Sequence, residues 1–128
     1  MADSQRLLII LTEGKADNGR KATLGFSMGL SALALGLDVC IFLTSDGAVW
    51  GYDKSAYGIT VPGFLPLEEL IQQYTEIDGK ILLCSTCQMT CGAGDPRSGP
   101  NVEKLACVEI AGMATVIEFA IGHTTITF

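Results

Sequence analysis

Residues 33–47, LALGLDVCIFLTSDG, contain the end of a helix, a turn, a strand and a polar loop. The triplet Gly36-Leu37-Asp38 is a turn signal, because glycine ends helices and aspartate favours turns. The run from Val39 to Leu43 is apolar without alternation, which is typical of a strand covered on both faces. Ser45-Asp46-Gly47 then ends the strand. A helix that leads directly into a doubly covered strand indicates an alternating α/β protein.

The same alternation extends in both directions along the chain. Arg6–Thr12 holds the apolar run of a first strand, and the helix before Gly36 begins near Gly19. The other predicted elements are a short amphipathic helix at 66–76, a third strand at 80–83, a fourth at 104–108, a helix at 111–120 and a fifth strand at 124–128. This order predicts an α/β fold: one domain, residues 1–128, with a five-stranded parallel sheet and helices on both faces.

Composition and charge limit the kinds of binding partner, and the cellular compartment, that we expect for this protein. The 128 residues carry a formal net charge of −6, which argues against nucleic acid and anionic membrane surfaces as partners. The amino terminus shows no basic segment leading into a signal-type apolar core. Five cysteines in such a chain favour a reducing compartment, where clustered thiols serve redox, catalytic or metal-binding roles. We therefore expect a cytoplasmic protein.

Three of the five cysteines lie close together directly after the predicted third strand, in ILLCSTCQMTCG, residues 81–92. An apolar run that ends in Cys84 predicts a buried strand that delivers a thiol to the edge of the sheet. If a helix begins there, its unpaired N–H groups and positive dipole end favour the thiolate. The thiolate is the form of cysteine that acts as nucleophile, sulfur carrier and metal ligand.

The spacing of Cys84, Cys87 and Cys91 leaves several interpretations open. On one helix all three sulfurs share a face. With only Cys87 onward helical, Cys84-x-x-Cys87 resembles a redox pair in which one thiolate attacks and the other resolves. Cysteine is also a small hydrophobe, so the three can form a packed stripe.

A metal site is the competing chemistry for this cluster, but its ligand set is incomplete. Structural zinc takes four ligands, and the spacing does not match known four-cysteine iron–sulfur patterns. Cys40 and Cys107 fall in predicted strands, where we expect burial, and His123 follows a helix as a structural residue. We therefore predict no metal site and no cofactor; Gly92-Ala93-Gly94 also lacks the lysine and spacing of a phosphate loop.

Four further residues are candidates for substrate binding. Glu13 and Asp46 follow predicted strands and either exchange protons or cap the next helix. Trp50 covers either the pocket or an oligomer interface. Arg97, in a glycine-rich loop, would hold an anionic sulfur species or is a solvated charge. Ligands of open parallel sheets bind beyond the carboxyl ends of the strands, where these segments converge.

The predicted last helix, residues 111–120, has Glu118 as its only charge. A helix that is apolar on all sides must be buried on more than one side. A chain of this length offers little second cover, so we predict a homo-oligomer that buries part of this helix, together with part of the helix at 19–35.

Together these segments resemble the DsrE/DsrF-like family. Residues 33–47 are similar to its helix, glycine, strand and Asp-Gly stretch, and Cys84 with Gly92 eight positions later is similar to its strand-end cysteine and glycine. Residues 108–112 and 125–128 fit the family's ending. Cys91 departs from the pattern, in which arginine often precedes the glycine.

The resemblance implies a sulfurtransferase-like relay. Cys84 matches the active cysteine, which carries a persulfide, and Cys87 matches a second cysteine of many members. Cys91 would be a third participant. The implied partners are a sulfane-sulfur donor and an acceptor thiol protein, such as a small carrier of the TusA type. The alternative hypothesis is a non-enzymatic metal- or ligand-binding oligomer that uses the same cysteines, and plain thiol–disulfide chemistry is a third.

Overall fold

The computed structural model describes residues 5–86 and 103–128. Two short 3-10 helices, Lys15–Asp17 and Ser45–Gly51, follow the first two strands. The strands and α-helices of the described residues are, in chain order, β1 (Arg6–Leu11), α1 (Arg20–Ala34), β2 (Asp38–Leu43), α2 (Leu67–Glu76), β3 (Lys80–Cys84), β4 (Val108–Ala111), α3 (Met113–Ala120) and β5 (Thr124–Thr127).

The five strands form one sheet in the order β4-β3-β2-β1-β5, and every neighbouring pair is parallel. Residues of four neighbouring strands are aligned across the sheet: Ile9 pairs with Ile41, Ile41 with Ile81, and Ile81 with Val108. The chain moves outward from β1 to β4 and then crosses back to place β5 beside β1. This confirms the predicted five-stranded parallel sheet.

Helices cover both faces of the sheet. A Cβ placed at Gly25 of α1 would lie 3.7 Å from the side chains of Ile9 and Leu11, so α1 packs closely on that face. On the other face the Arg6 guanidinium carbon lies 5.3 Å from the ring centre of Phe119, in α3. Side chains of opposite parity on a strand point to opposite faces, so α1 and α3 lie on opposite sides. The doubly wound arrangement is therefore confirmed.

Tyr74 of α2 connects four elements at the amino ends of the strands. Its hydroxyl donates to the carbonyl oxygen of Lys80 at 2.7 Å and lies 3.2 Å from that of Val39. Its ring packs edge-on against Phe26 with centroids 5.6 Å apart. A Cβ at Gly79 would come within 2.5 Å of the ring, so this turn needs glycine. Tyr74 thus joins α1, α2, β2 and β3.

The fourth strand exists, but it lies at Val108–Ala111 rather than at the predicted 104–108. Residues 103–105 instead pair with the loop after β2: the Asp53 amide donates to the Glu103 carbonyl, and the Leu105 amide donates to the Gly51 carbonyl. Cys107 falls in the turn that follows and is exposed rather than buried. The last helix accordingly starts later than predicted, at Met113.

Residues 22–43 are long enough to span a membrane and have Asp38 as their only charge. The turn at Gly36 divides this stretch between α1 and β2, as the turn signal predicts. The fifteen residues of α1 span about 22 Å, less than the roughly 30 Å of a bilayer's hydrocarbon core. Within residues 5–86 and 103–128, no helix combines the length and apolar character that a membrane crossing requires.

The loops after β1 and β2 touch through their backbones. The amide of Gly47 donates to the carbonyl oxygen of Thr12 at 3.1 Å, and a Cβ at Gly47 would lie 2.1 Å from the carbonyl oxygen of Leu11. A Cβ at Gly14 would lie 2.6 Å from the carbonyl oxygen of Asp46. The two glycines therefore allow these loops to meet at the carboxyl edge of the sheet.

Replacing Tyr74 with phenylalanine is expected to lower the free energy of unfolding by about 1 kcal/mol, because the variant loses a buried hydrogen bond. Tyr52→Phe is the matched control. The Tyr52 hydroxyl is also buried but has no hydrogen-bond partner in the described part of the chain, so its loss should be neutral or stabilising. Urea unfolding of both variants tests this, and equal losses would contradict the assigned role of Tyr74.

Gly47→Ala is expected to destabilise the protein by about 1–3 kcal/mol or more, because the added methyl group meets backbone rather than a movable side chain. Gly112→Ala is the control, since a Cβ there meets nothing within 4 Å and the φ of −90° suits any residue. Thermal and urea unfolding measure both. A Gly47 variant as stable as the control would mean that the two loops are not in backbone contact.

Candidate thiol site at the carboxyl edge of the sheet

Cys84 is the last residue of β3 and lies in the interior of the sheet, between β2 and β4. It pairs with Ala111 of β4 and is 3% exposed. Ser85 and Thr86, which follow, have helical backbone. The predicted arrangement of a buried strand that leads into a cysteine and then a helix is therefore present, with the thiol at the carboxyl edge.

A second helix also begins beside Cys84. Gly112 is the N-cap of α3, and it directly follows Ala111, the register partner of Cys84. The Cys84 side chain shares its face of the sheet with Leu82, Phe42 and Ile10, which is the face that carries α3. The thiol thus lies near the amino end of α3, where unpaired N–H groups and the helix dipole favour negative charge.

Glu13 follows β1 at the same edge, two strands away from Cys84. Neighbouring strands lie about 4.8 Å apart, so the two backbones are separated by roughly 10 Å. The Glu13 carboxylate makes an ion pair with Lys21 of α1, with Oε1 and Nζ 3.8 Å apart. Lys21 was not among the predicted residues; the signal available in the sequence was a lysine near the predicted start of the helix after Glu13.

Trp50 and Asp46 belong to the loop after β2. The indole N–H of Trp50 donates to the carbonyl oxygen of Glu13 at 2.9 Å, and the ring is 1% exposed. Asp46 is exposed, and its backbone lies against Gly14. The structure therefore brings Glu13, Asp46 and Trp50 together. The indole connects the loops, so Trp50 is a buried residue of the framework rather than a surface cover.

Two other cysteines lie away from this edge. Cys40 pairs with Lys80, four residues before Cys84, and Cys107 precedes Ala111 by four residues. Four strand residues correspond to about 13 Å along the strand direction. Burial raises the pKa of Cys40 to about 12, although Lys80 opposes part of that shift. Cys40 is therefore a neutral core thiol at physiological pH, as its predicted burial implies.

The remaining predicted site residues cannot be placed beside Cys84. Cys87, Cys91 and Arg97 lie outside the described residues. Among the residues that are described, no group of three or more histidine, cysteine, aspartate or glutamate side chains is arranged to hold a metal ion. His123 is exposed in the turn before β5, and β2 and β1 separate β5 from β3 in the sheet.

Comparisons with known proteins agree with this architecture. The YchN protein from E. coli has a similar crystal structure, with a TM-score of 0.70 over 97% of this chain and 99% of that chain, at 17% sequence identity. At that identity the similarity concerns the fold. No curated protein sequence matches this chain.

The family comparison covers almost the whole sequence. A sequence model described as the DsrE/DsrF-like family matches residues 5–128, which includes every strand and helix given above. The matched residues begin just before β1 and extend through β5, and they include Cys84 at the end of β3. The chain belongs to the DsrE/DsrF-like family.

Proposed function

We propose that this protein is a cytoplasmic sulfur-relay protein in which Cys84 carries sulfur as a persulfide. Membership of the DsrE/DsrF-like family indicates a role in sulfur relay in general. The observation that carries the finer proposal is the position of Cys84, a thiol at the carboxyl end of an interior strand. Helical residues follow it directly, and α3 begins next to its register partner Ala111. Open parallel sheets bind their ligands at this edge.

The electrostatics of this position suit a sulfur carrier. A thiolate and a persulfide anion both carry negative charge, and the amino end of a helix such as α3 favours such charge by roughly 0.3–1 kcal/mol. Burial of Cys84 at 3% exposure limits the access of water and of bulky reagents. A persulfide held there would be protected from non-specific exchange with solution thiols until a fitted acceptor docks.

The proposed reaction consists of two sulfur transfers. The Cys84 thiolate attacks the outer sulfur of a donor persulfide, R–S–SH; the donor S–S bond breaks, a new S–S bond forms on Cys84, and the donor leaves as R–S⁻. An acceptor thiolate then attacks the outer sulfur of Cys84–S–SH and regenerates the Cys84 thiolate. Neither step needs an external oxidant or reductant, because the sulfane sulfur retains its oxidation state.

The other sequence-predicted residues take supporting roles in this proposal. Cys87 is three residues from Cys84 in the sequence and assists or resolves, and Cys91 is a third participant. Arg97 would bind an anionic sulfur donor, and Glu13 and Asp46 form the polar part of the edge. The acceptor is a thiol protein, for which a small carrier of the TusA type is our candidate.

Incubation with polysulfide is expected to add one sulfur atom, about 32 Da, to the intact protein under non-reducing conditions, and dithiothreitol should remove it. Cys84→Ser should abolish the addition. Cys107→Ser is the matched control, because that thiol is exposed but about 13 Å from the level of Cys84, and it should retain the addition.

Two results would contradict this proposal. One is a sulfur addition that persists in Cys84→Ser and disappears in Cys107→Ser. The other is a protein that never gains sulfur and is purified with stoichiometric zinc or iron lost in the Cys84, Cys87 and Cys91 variants. The second result would support the alternative, a metal-binding oligomer.

We further propose that the protein works as a homo-oligomer. Val116 is the buried residue of α3, whereas Met113, Ile117 and Ile121 are 56%, 58% and 68% exposed. These three residues follow each other at intervals of four, so they form one apolar stripe on the outer side of the helix and its end. A second copy of the chain that covers this stripe would remove its apolar surface from water.

Sedimentation equilibrium is expected to give a mass of at least twice the 13.5 kDa of one chain. Ile117→Lys should shift the population toward monomer, because a charge at the centre of the stripe would be buried without a partner. Ile77→Lys, at the 48%-exposed end of α2, is the control and should not change the mass. A wild-type mass equal to one chain would overturn the proposal.

A further inference from the structure

Thr44, the residue that follows β2, lies beside Cys84 across the sheet. Leu43 pairs with Leu83, so the next residues of these two parallel segments, Thr44 and Cys84, are at the same level. The backbone of Thr44 is still extended, with φ −140° and ψ 166°. Neighbouring strands lie about 4.8 Å apart, and the two residues are therefore in contact range.

The side chains of Thr44 and Cys84 also point to the same face of the sheet. Phe42 and Leu82 are register partners, and residues two apart in an extended chain share a face. Thr44 follows Phe42 by two residues, and Cys84 follows Leu82 by two. Thr44 is half-buried, whereas Cys84 is 3% exposed. The Thr44 side chain thus lies between the Cys84 sulfur and the open edge of the sheet.

Backbone hydrogen bonds hold Thr44 on both sides. Its amide donates to the carbonyl oxygen of Leu11 at 3.1 Å, and its carbonyl oxygen accepts from the amide of Gly47 at 3.0 Å. Ser45, the next residue, has a φ of 54°, so the chain turns away directly after Thr44. Threonine is branched at Cβ, which restricts its rotamers. The hydroxyl is therefore presented from a fixed position.

The charges around Cys84 do not favour a negative sulfur. The titratable groups of β2, the 3-10 helix Ser45–Gly51, β4 and α3 are Asp38, Cys40, Asp46, Glu109 and Glu118. Lys80, in β3 itself, is the one cation of these five elements, and it lies about 13 Å from Cys84 along the strand. Burial and nearby carboxylates both disfavour a thiolate. A neutral donor close to the sulfur would offset that cost.

We propose that the Thr44 hydroxyl donates a hydrogen bond to the Cys84 sulfur when that sulfur carries negative charge. Its role in catalysis rests on the proposed relay. In the loading step the hydrogen bond increases the fraction of Cys84 that is thiolate, which is the nucleophile. In the unloading step the same sulfur is the leaving group, and a stabilised thiolate leaves faster. One hydroxyl therefore assists both transfers.

The test measures the rate at which iodoacetamide alkylates Cys84 as a function of pH, with tandem mass spectrometry to assign the modified cysteine. Thr44→Val keeps the shape of the side chain and removes the hydroxyl. The pH of half-maximal reactivity is expected to rise by about one unit, because hydrogen bonds to ionised groups are stronger than those to neutral groups.

The two ends of the pH profile should respond differently. Loss of the hydrogen bond leaves less thiolate, but each thiolate is a stronger nucleophile. Below the midpoint, Thr44→Val is therefore expected to react about threefold or more slowly than the wild type. Above both midpoints it should react at least as fast. A change in packing alone would alter the rate by the same factor at every pH.

Two variants serve as controls. Thr44→Ser keeps a hydroxyl and should restore the profile of the wild type. Thr12→Val removes a hydroxyl at the same level of the sheet, since Leu11 pairs with Leu43. That hydroxyl donates to the carbonyl oxygen of Phe128 at 2.8 Å and lies two strands from β3, so its loss should leave the midpoint unchanged.

Three results would overturn this inference: an unchanged midpoint in Thr44→Val, an equal shift in Thr12→Val, or a Thr44→Ser profile that matches Thr44→Val. Alkylation does not require sulfur transfer, so the two proposals fail separately. A shifted profile in a protein that gains no sulfur from polysulfide would contradict the relay alone. Sulfur addition to Cys84 with an unshifted profile would contradict the hydrogen bond alone.

Discussion

The parallel hydrogen-bond ladder of the sheet is the constraint on which the rest of this structure depends. Because β1, β2 and β3 are paired in step, their carboxyl ends lie at nearly the same level. The segments that leave those ends, at Thr12, Thr44 and Ser85, are therefore neighbours although they are widely separated in the sequence. A shift of one residue in the register would also move every core side chain to the opposite face.

A second consequence of this alignment is that the loops after β1 and β2 contact each other through their backbones. Strand spacing of about 4.8 Å leaves no room for side chains between the segments that follow β1 and β2. Gly14 and Gly47 provide the required space, and the Trp50 indole adds a hydrogen bond to the Glu13 carbonyl. The edge beside Cys84 is thus held by backbone contacts, while its acidic side chains face outward or pair with Lys21.

The three cysteines that the structure describes differ in their positions in the fold, and these positions give their thiols different properties. Cys40 is fully buried near the amino ends of the strands, and its raised pKa keeps it protonated. Cys107 is exposed in the turn before β4. Only Cys84 of these three lies at a strand end beside the start of a helix. That difference makes it the candidate sulfur carrier and makes Cys107 a suitable control.

The sequence by itself determined the fold class, the strands β1, β2 and β3, and the place of Cys84, because continuous apolar runs bounded by polar and turn-forming residues are local signals. It could not place β4, since residues 103–105 pair with the loop around Gly51 and Asp53 only in the folded chain. The pairing of Glu13 with Lys21 and the connecting role of Trp50 were decided by the tertiary structure. Each of these contacts depends on which segments, far apart in the sequence, the parallel sheet brings close together. Local patterns of residues do not encode that proximity.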